Sequence, residues 1–181
     1  NLLFLAGHET TANSLTWTLF LLMQHPRVRA DLLDELRGVL HGDPPRLEHL
    51  SRLPLLERVI KESMRVLPAV PLGMRTTASA LEFAGHDLPA HAEIIFSQYH
   101  THHDPAIYVE PLRFDPSRWE RLEPTAYEYI PFGGGARMCI GASFVLMEIK
   151  AVLATLLQRW EPCLRPGTRV ARYVNLTLSP K

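Results

Sequence analysis

A cysteine with reactive surroundings lies in the glycine-rich segment Phe132–Gly141. Cys139 follows Arg137 by two residues and directly precedes a long amphipathic pattern. The positive end of a helix dipole and a nearby guanidinium both favour the thiolate, which is the form of cysteine that binds metals or attacks electrophiles. Gly135 and Gly141 have no Cβ, so a flat ligand can approach the backbone closely. The segment therefore predicts a thiolate ligand for a cofactor or a cysteine nucleophile.

Two further interpretations of the same segment are weaker. A phosphate-binding loop needs a Walker lysine or G-x-G-x-x-G spacing after a strand, and the segment has neither. An inert buried cysteine is the usual interpretation for an arbitrary cysteine, but the residues that flank Cys139 favour a functional one.

Two histidine segments suggest metal binding, but neither provides a complete ligand set. His8 and Glu9 begin a zinc-protease pattern, yet the position of its second histidine is Ala12. The segment His100–Asp104 has the order H-x-H-x-D, but all nine histidines lie at or before His103, so no downstream ligand follows. We interpret this segment as an exposed loop with solvated histidines.

Glu62 and Arg65 lie three residues apart in a helical pattern and therefore share one face of the helix. Taken alone, such a pair is expected to be a surface ion pair that contributes about 0.3–0.5 kcal/mol.

Four motifs, in matching order, resemble those of the cytochrome P450 family. The most specific is the haem-binding signature F-x-x-G-x-R-x-C-x-G, whose defining positions are filled by Phe132, Gly135, Arg137, Cys139 and Gly141. Three weaker motifs are an oxygen-activating segment at 6–11, E-x-x-R at 62–65 and a loop motif at 116–119, where Trp119 replaces the commoner phenylalanine. The resemblance implies that residues 1–181 are the C-terminal part of a single cytochrome P450 domain, beginning inside its central helix, with the N-terminal half absent.

The resemblance also implies roles at the cofactor. Cys139 would be the axial iron ligand of haem b (iron protoporphyrin IX), and Phe132 would shield its sulfur. Arg75 and Arg137 would bind the haem propionates through their forked donors. Gly135 and Gly141 would border the ring.

On the opposite side of the ring, Ala6 and Gly7 are small enough for their helix to lie against the haem. Glu9 and Thr10 would be the catalytic pair that delivers protons during oxygen activation. The hydroxyl of Thr10 is predicted to bond back to the carbonyl of Ala6 and to open a local bend.

Away from the ring, the resemblance implies that Glu62 and Arg65 belong to a buried structural triad and do not form a surface ion pair. Glu62, Arg65 and Arg118 would hold the segment Phe132–Gly141, the cysteine loop. Removal of one member would lower the free energy of unfolding by several kcal/mol, because a buried charge loses its partner.

The expected activity is that of a haem-thiolate monooxygenase, an oxidoreductase that inserts one atom of O₂ into a small apolar organic substrate. Electrons would come from NAD(P)H through an electron-donor protein, either a ferredoxin or a flavoprotein reductase, because the chain has no flavin or nicotinamide fingerprint. Two alternatives remain at this stage. One is a non-catalytic fragment that keeps a haem-binding core, and the other is a cysteine-nucleophile enzyme that uses Cys139 with a histidine.

Composition and hydrophobic periodicity describe the scaffold around these residues. The chain has 181 residues, of which 46% are hydrophobic, with 19 basic and 19 acidic side chains, as expected for one globular domain with no nucleic-acid partner. Polar residues at 7–13 interrupt the first apolar segment, which therefore does not match a membrane span. The second helical segment and residues 144–160 resemble bacterial family members, so we expect a cytoplasmic protein.

The predicted fold is mainly α with small β-sheets (α+β), the C-terminal half of the cytochrome P450 fold. Prolines and periodicity predict helices over 1–24, from Pro26 to about residue 40, over 53–66 and over 142–160. Short strands are predicted at 74–77, 81–84, 94–98 and within 169–178, and an irregular proline-rich stretch at 104–131.

Overall fold

The structure is a computed structural model that describes the backbone from Leu2 to Lys181 and the side chains from Ala6 onward. Within this part of the chain the helices are α1 (Leu2–Gln24), α2 (Pro26–Leu40), α3 (Leu47–Leu50), α4 (Pro54–Val66), α5 (Gln98–His102) and α6 (Ala142–Arg159). The strands are β1 (Leu72–Thr76), β2 (Leu81–Phe83), β3 (His86–Leu88), β4 (Glu93–Ser97), β5 (Arg172–Val174) and β6 (Leu178–Pro180). The predicted class, mainly α with small sheets, is confirmed; Asn1 of the first predicted helix lies outside the described residues.

The core is formed where α1, α2, α4 and α6 pack together. Its members are large apolar side chains that are almost completely buried, among them Trp17, Leu22, Leu36, Leu56, Ile60, Ile149 and Leu153. Pro26 and Pro54 each lie in the first turn of a helix, where proline's missing N–H has no partner to lose. Leu156 on α6 is exposed, because the buried stripe of the helix runs through Ile149, Leu153 and Leu157.

One long-range contact sets the start of α4. The Glu35 carboxylate, on α2, accepts hydrogen bonds from the backbone N–H groups of Leu55 (2.7 Å) and Leu56 (2.9 Å). These N–H groups lie in the first turn, where a helix provides no internal acceptor and where its dipole favours a negative charge. Helix α4 is therefore capped by another helix, although its preceding residue, Leu53, has no side chain that can cap.

The described strands form three separate antiparallel pairs, β1–β4, β2–β3 and β5–β6. In the first pair Gly73 lies opposite Phe96, and a Cβ at Gly73 would come within 2.3 Å of the phenylalanine ring. Of the second pair only β2 corresponds to a predicted strand, because Gly85 and Asp87 are residue types common in turns. Instead, Ala84 and Gly85, both with positive φ, form a tight turn that begins β3.

The interpretation of residues 100–104 as an exposed loop with solvated histidines is wrong. Residues 98–102 form α5, and His102 is completely buried. Helices α3 and α5 were not predicted, because helices of four or five residues are too short to show a period.

Candidate functional site

A largely apolar cavity of about 390 Å³ lies between α1 and the segment that leads into α6. Helix α1 contributes Ala6, Gly7 and Thr10 to its wall. The opposite wall includes Phe132, Cys139 and Gly141. Residues predicted from two motifs that lie far apart along the chain therefore line one cavity.

The cysteine loop is held by backbone geometry. The N–H of Cys139 donates to the carbonyl of Phe132 (2.9 Å), and that of Met138 donates to the carbonyl of Gly135 (3.0 Å). Gly133 and Gly135 have φ of 73° and 66°, in the left-handed region that glycine adopts without a Cβ clash. The loop thereby presents the exposed Cys139 thiol to the cavity.

Gly141 has a different role from Gly135, because its φ is negative. A Cβ there would lie 3.8 Å from Cys139 Sγ, in ordinary contact. Its absence keeps one side of the sulfur uncovered.

The two arginines predicted for the propionates do not line the cavity. Arg137 is exposed in a 3₁₀ turn, Gly135–Arg137, and Arg75 is exposed on β1. Arg75 Nη1 donates to the carbonyl of Met74 (2.8 Å), and its guanidinium lies 5.3 Å from the centre of the Phe96 ring. Within the described residues neither arginine has an acidic ion-pair partner.

On α1, Thr10 Oγ1 donates to the carbonyl of Ala6 at 2.6 Å, in the predicted direction. Thr11 bonds back to Gly7 in the same way (2.6 Å), and Ser14 to the carbonyl of Thr10 (2.9 Å). The helix continues without interruption through these positions. The local bend at Thr10 stays a prediction.

Glu9, in contrast, lies outside the cavity wall and bonds to the C-terminal strand pair. Thr177 Oγ1 donates to Glu9 Oε1 (2.6 Å), and Asn13 Nδ2 donates to Thr177 Oγ1 (3.1 Å). Sequence reasoning missed Asn13 and Thr177, because 164 residues separate them and neither belongs to a recognisable motif.

Glu62 and Arg65 are completely buried, as the resemblance implies and unlike the surface ion pair expected of the two residues taken alone. Glu62 Oε1 accepts from Arg65 Nη2, Arg118 Nε and the backbone N–H of Asp115, each at 2.9 Å. Glu62 Oε2 accepts from Arg65 Nε (2.9 Å) and from Trp119 Nε1 (3.0 Å). Five donors around one carboxylate compensate for its loss of hydration.

Arg65 uses all five of its N–H groups. Two of them bind Glu62, and the other three donate to the carbonyls of His102 (2.7 Å), Pro111 (2.7 Å) and Arg113 (3.0 Å). Since an arginine has only five N–H donors, none of them is left unpaired. The side chain thereby orders the irregular stretch around residues 102–113.

Trp119 explains the departure from the commoner phenylalanine in the loop motif. Its indole N–H supplies one of the donors to Glu62, which a phenylalanine ring cannot do. Its ring also packs edge-on against Tyr129 at 4.7 Å between ring centres.

Glu62 and the residues that donate to it, Arg65, Asp115, Arg118 and Trp119, form the Glu62 cluster. His102 connects this cluster to the cysteine loop. Its carbonyl accepts from Arg65, while its ring Nε2 accepts from the N–H of Ile130 (2.9 Å). The carbonyl of Ile130 in turn accepts from Gly133 (3.0 Å). Burial, together with the charge of Arg65, lowers the pKa of His102 to about 3, so the ring is neutral and able to accept.

The family model named Cytochrome P450 matches residues 1–179. The chain belongs to the cytochrome P450 family. The resemblance drawn from the four motifs is thus confirmed. Among the described residues no cluster of three or more His, Cys, Asp and Glu side chains is arranged to bind a metal ion. No helix in the same part of the chain has the length and apolar character needed to cross a membrane.

Similar proteins include bacterial oxygenases. The chain is 41% identical over 180 residues to cyclooctatin synthase of Streptomyces melanosporofaciens. This alignment covers 98% of this chain and 39% of that protein. It is 39% identical over 168 residues to pentalenene oxygenase of Streptomyces avermitilis, in an alignment that covers 91% of this chain and 37% of that protein. Retinoic acid-bound cyanobacterial CYP120A1 superposes with a TM-score of 0.92 at 31% identity, covering 99% of this chain and 42% of that structure. The chain thus spans about two fifths of the length of these relatives.

Proposed function

We propose that the protein containing this chain is a haem-thiolate monooxygenase, and that residues 1–181 form the C-terminal part of its single catalytic domain. One observation carries the proposal: the exposed thiol of Cys139 lies in the wall of a largely apolar cavity. Thr10 of helix α1 lies in the wall of the same cavity. The coverage of about two fifths of each relative supports the partial-domain assignment.

The residues present fit iron protoporphyrin IX. One thiolate supplies one coordination position, so it suits an iron that carries its other ligands in a macrocycle better than a free ion that needs three or four side chains. Ala6, Gly7 and Phe132 give the cavity small or apolar walls, which suit a flat hydrophobic ring. From the resemblance we assign Arg75 and Arg137 to the propionates, and in the described part of the chain neither guanidinium has an acidic ion-pair partner that would compete.

When bound, the thiolate-ligated haem supplies the oxygen-activating chemistry, because electron donation from sulfur favours O–O cleavage. The chain itself positions the groups around it. The backbone bond from Cys139 to Phe132 fixes the sulfur, and Ala6 and Gly7 leave room on the opposite face. Thr10 holds a hydroxyl in the cavity wall whose oxygen accepts and passes on protons, and Glu9 supplies them from solvent.

The proposal also includes the substrate class, the electron source and the location of the protein. The cavity favours a small apolar organic molecule, with O₂ as co-substrate. We propose an electron-donor protein, a ferredoxin or a flavoprotein reductase, that transfers electrons from NAD(P)H. We also propose that the protein has no nucleic-acid partner, because the equal numbers of acidic and basic residues give this chain no net charge. Similarity to bacterial relatives supports a cytoplasmic location, which fractionation of the native cells would test.

The absorption spectrum of the reduced, CO-bound full-length protein tests the assignment. Wild type is expected to show the red-shifted band of a thiolate-ligated haem, and Cys139→Ser is expected to lose it, because an alcohol does not replace thiolate donation. Cys163→Ser is the matched control and should keep the band, since Cys163 lies outside the cavity wall. A protein without any haem band would instead favour a cysteine nucleophile.

A further inference from the structure

The bond between Glu9 and Thr177 has a defined direction. Thr177 and Asn13 are buried, and the amide Nδ2 of Asn13 can only donate, so it occupies a lone pair of the threonine oxygen (3.1 Å). The single O–H of Thr177 is therefore available for Glu9 Oε1, at 2.6 Å. Glu9 itself is exposed, and within the described residues Oε2 has no protein hydrogen bond. One carboxylate oxygen is held while the other faces solvent.

Thr177 lies in the turn between β5 and β6, and this hairpin is bonded to the cavity wall. The N–H of Leu178 donates to the carbonyl of Ala69 (2.9 Å), and Ala69 lines the cavity. The carbonyl of Leu178 accepts from the indole of Trp17 on α1 (2.8 Å). At the turn Leu176 is 82% exposed. The hairpin, the cavity wall and α1 are thus joined by hydrogen bonds.

We propose that Thr177 is the positioning residue for Glu9, and that its bond makes proton supply to Thr10 depend on the placement of the β5–β6 hairpin. The proposal rests on the monooxygenase function proposed above. A glutamate on a helix surface has three rotatable side-chain bonds, and the hydroxyl of Thr177 restricts them by fixing Oε1. A proton that Oε2 takes up from solvent is then released to water beside α1 and reaches the oxygen of Thr10 through that water.

This arrangement also links the acid to the apolar ligand. A molecule in the cavity that contacts Ala69 or its neighbour Val70 presses on the wall to which the hairpin is bonded. Displacement of the turn separates Thr177 from Glu9, whereas seating of the turn keeps the carboxylate in place. Proton supply is then greatest while the bond between Thr177 and Glu9 is intact.

The test compares four variants of the haem-loaded full-length protein. Thr177→Val removes the hydroxyl and keeps the shape, Thr177→Ser keeps the hydroxyl, and Glu9→Ala removes the acceptor from an exposed position. Thr155→Val is the matched control, because it also removes a threonine hydroxyl, one that donates to the carbonyl of Ala151 on α6. The first measurement is amide hydrogen exchange over residues 175–178, and it needs no activity.

The second measurement is the fraction of NADPH-derived electrons that forms water and not hydrogen peroxide, with a surrogate ferredoxin and ferredoxin reductase. Being a ratio, it is insensitive to how much haem each variant carries. We expect exchange in the turn to rise about fivefold in Thr177→Val and in Glu9→Ala, the factor for one lost hydrogen bond. The water-forming fraction should fall at least about threefold in both variants, since positioned proton transfer contributes 10²–10⁴-fold in general.

Thr177→Ser and Thr155→Val should match wild type in both measurements. Wild-type exchange and wild-type water formation in Glu9→Ala would overturn the proposal, and this exposed variant decides the question even if Thr177→Val loads no haem. A loss of water formation in Thr177→Ser equal to that in Thr177→Val would also overturn it. Absence of a thiolate band in wild type would contradict the proposed function instead, while the exchange measurement still tests the bond.

Discussion

The Glu62 cluster and the cysteine loop lie near each other but are stabilised in different ways. The cluster joins side chains and carbonyls from separate positions between 62 and 119, and Arg65 and Glu62 are fully buried in it. The loop is held by backbone bonds within about ten residues, and its side chains at 138–140 are exposed. Charge complementarity thus stabilises the scaffold, whereas backbone hydrogen bonds, anchored at Ile130 by the His102 ring, position the thiol and leave it available for a ligand.

The largest expected effect is on the cluster. Arg65→Ala removes a buried positive charge from Glu62 and a donor from the carbonyls of His102 and Pro111, so it should lower the free energy of unfolding by about 3–5 kcal/mol. Denaturant unfolding of the full-length protein measures the change. Arg113→Ala is the control, because its side chain forms an exposed pair with Glu110, and it should cost about 1 kcal/mol or less. Equal losses in the two variants would contradict the role given to the cluster.

The connection between the two regions should be sensitive to pH. The pKa of His102 is about 3 in the folded protein and about 6.5 when unfolded, so the unfolded chain binds the additional proton between these values. Stability is therefore fully present above about pH 6.5 and should fall with decreasing pH, by at most about 1.4 kcal/mol per unit, until about pH 3.

The measurement is the free energy of unfolding of wild type and His102→Asn between about pH 7 and pH 4, which lies inside the window set by the two pKa values. The difference between the two proteins isolates this histidine from acids such as Glu57, whose pKa Lys61 and Lys150 lower to about 2. Parallel pH profiles would show that His102 is not the responsible group.

A smaller effect is expected from adding one carbon to the loop. Gly135 has φ of 66°, and no atom lies within 4 Å of the place that a Cβ would occupy, so Gly135→Ala tests backbone strain without a clash. It should lower the stability by about 1–2 kcal/mol, as for other residues forced into the left-handed region. Gly38→Ala, in the last turn of α2 and equally free of contacts, should instead stabilise by about 0.4–1 kcal/mol. Thermal unfolding distinguishes the opposite signs.

The smallest effect concerns the fifth donor to Glu62. Trp119→Phe removes the indole bond at 3.0 Å while the other four donors remain, so we expect a loss of about 1 kcal/mol. Trp160→Phe, at an exposed position that forms no side-chain hydrogen bond in the described structure, should change stability by less than about 0.5 kcal/mol. Denaturant unfolding of both variants provides the comparison, and an equal response would remove the reason given for tryptophan at 119.

Sequence patterns were sufficient for the elements whose signals are local. Periodicity and proline positions indicated α1, α2, α4 and α6 to within one or two residues, because an amphipathic helix repeats its signal over several turns. The cysteine loop was also apparent, because its glycines and its thiol lie close together along the chain. Helices α3 and α5 are too short to carry such a signal, and β3 was missed because Gly85 and Asp87 are residue types common in turns.

What the sequence by itself determined was the family, through its cysteine signature, and the line of small and hydroxyl residues on α1. Only the tertiary structure decided that Glu62 also binds Trp119, that His102 links Arg65 to Ile130 beside the cysteine loop, and that Glu9 is bonded to Thr177. The physical reason is range. Each of these interactions joins groups that are far apart along the chain, and a hydrogen bond a few ångströms long exists only after packing has brought its partners together.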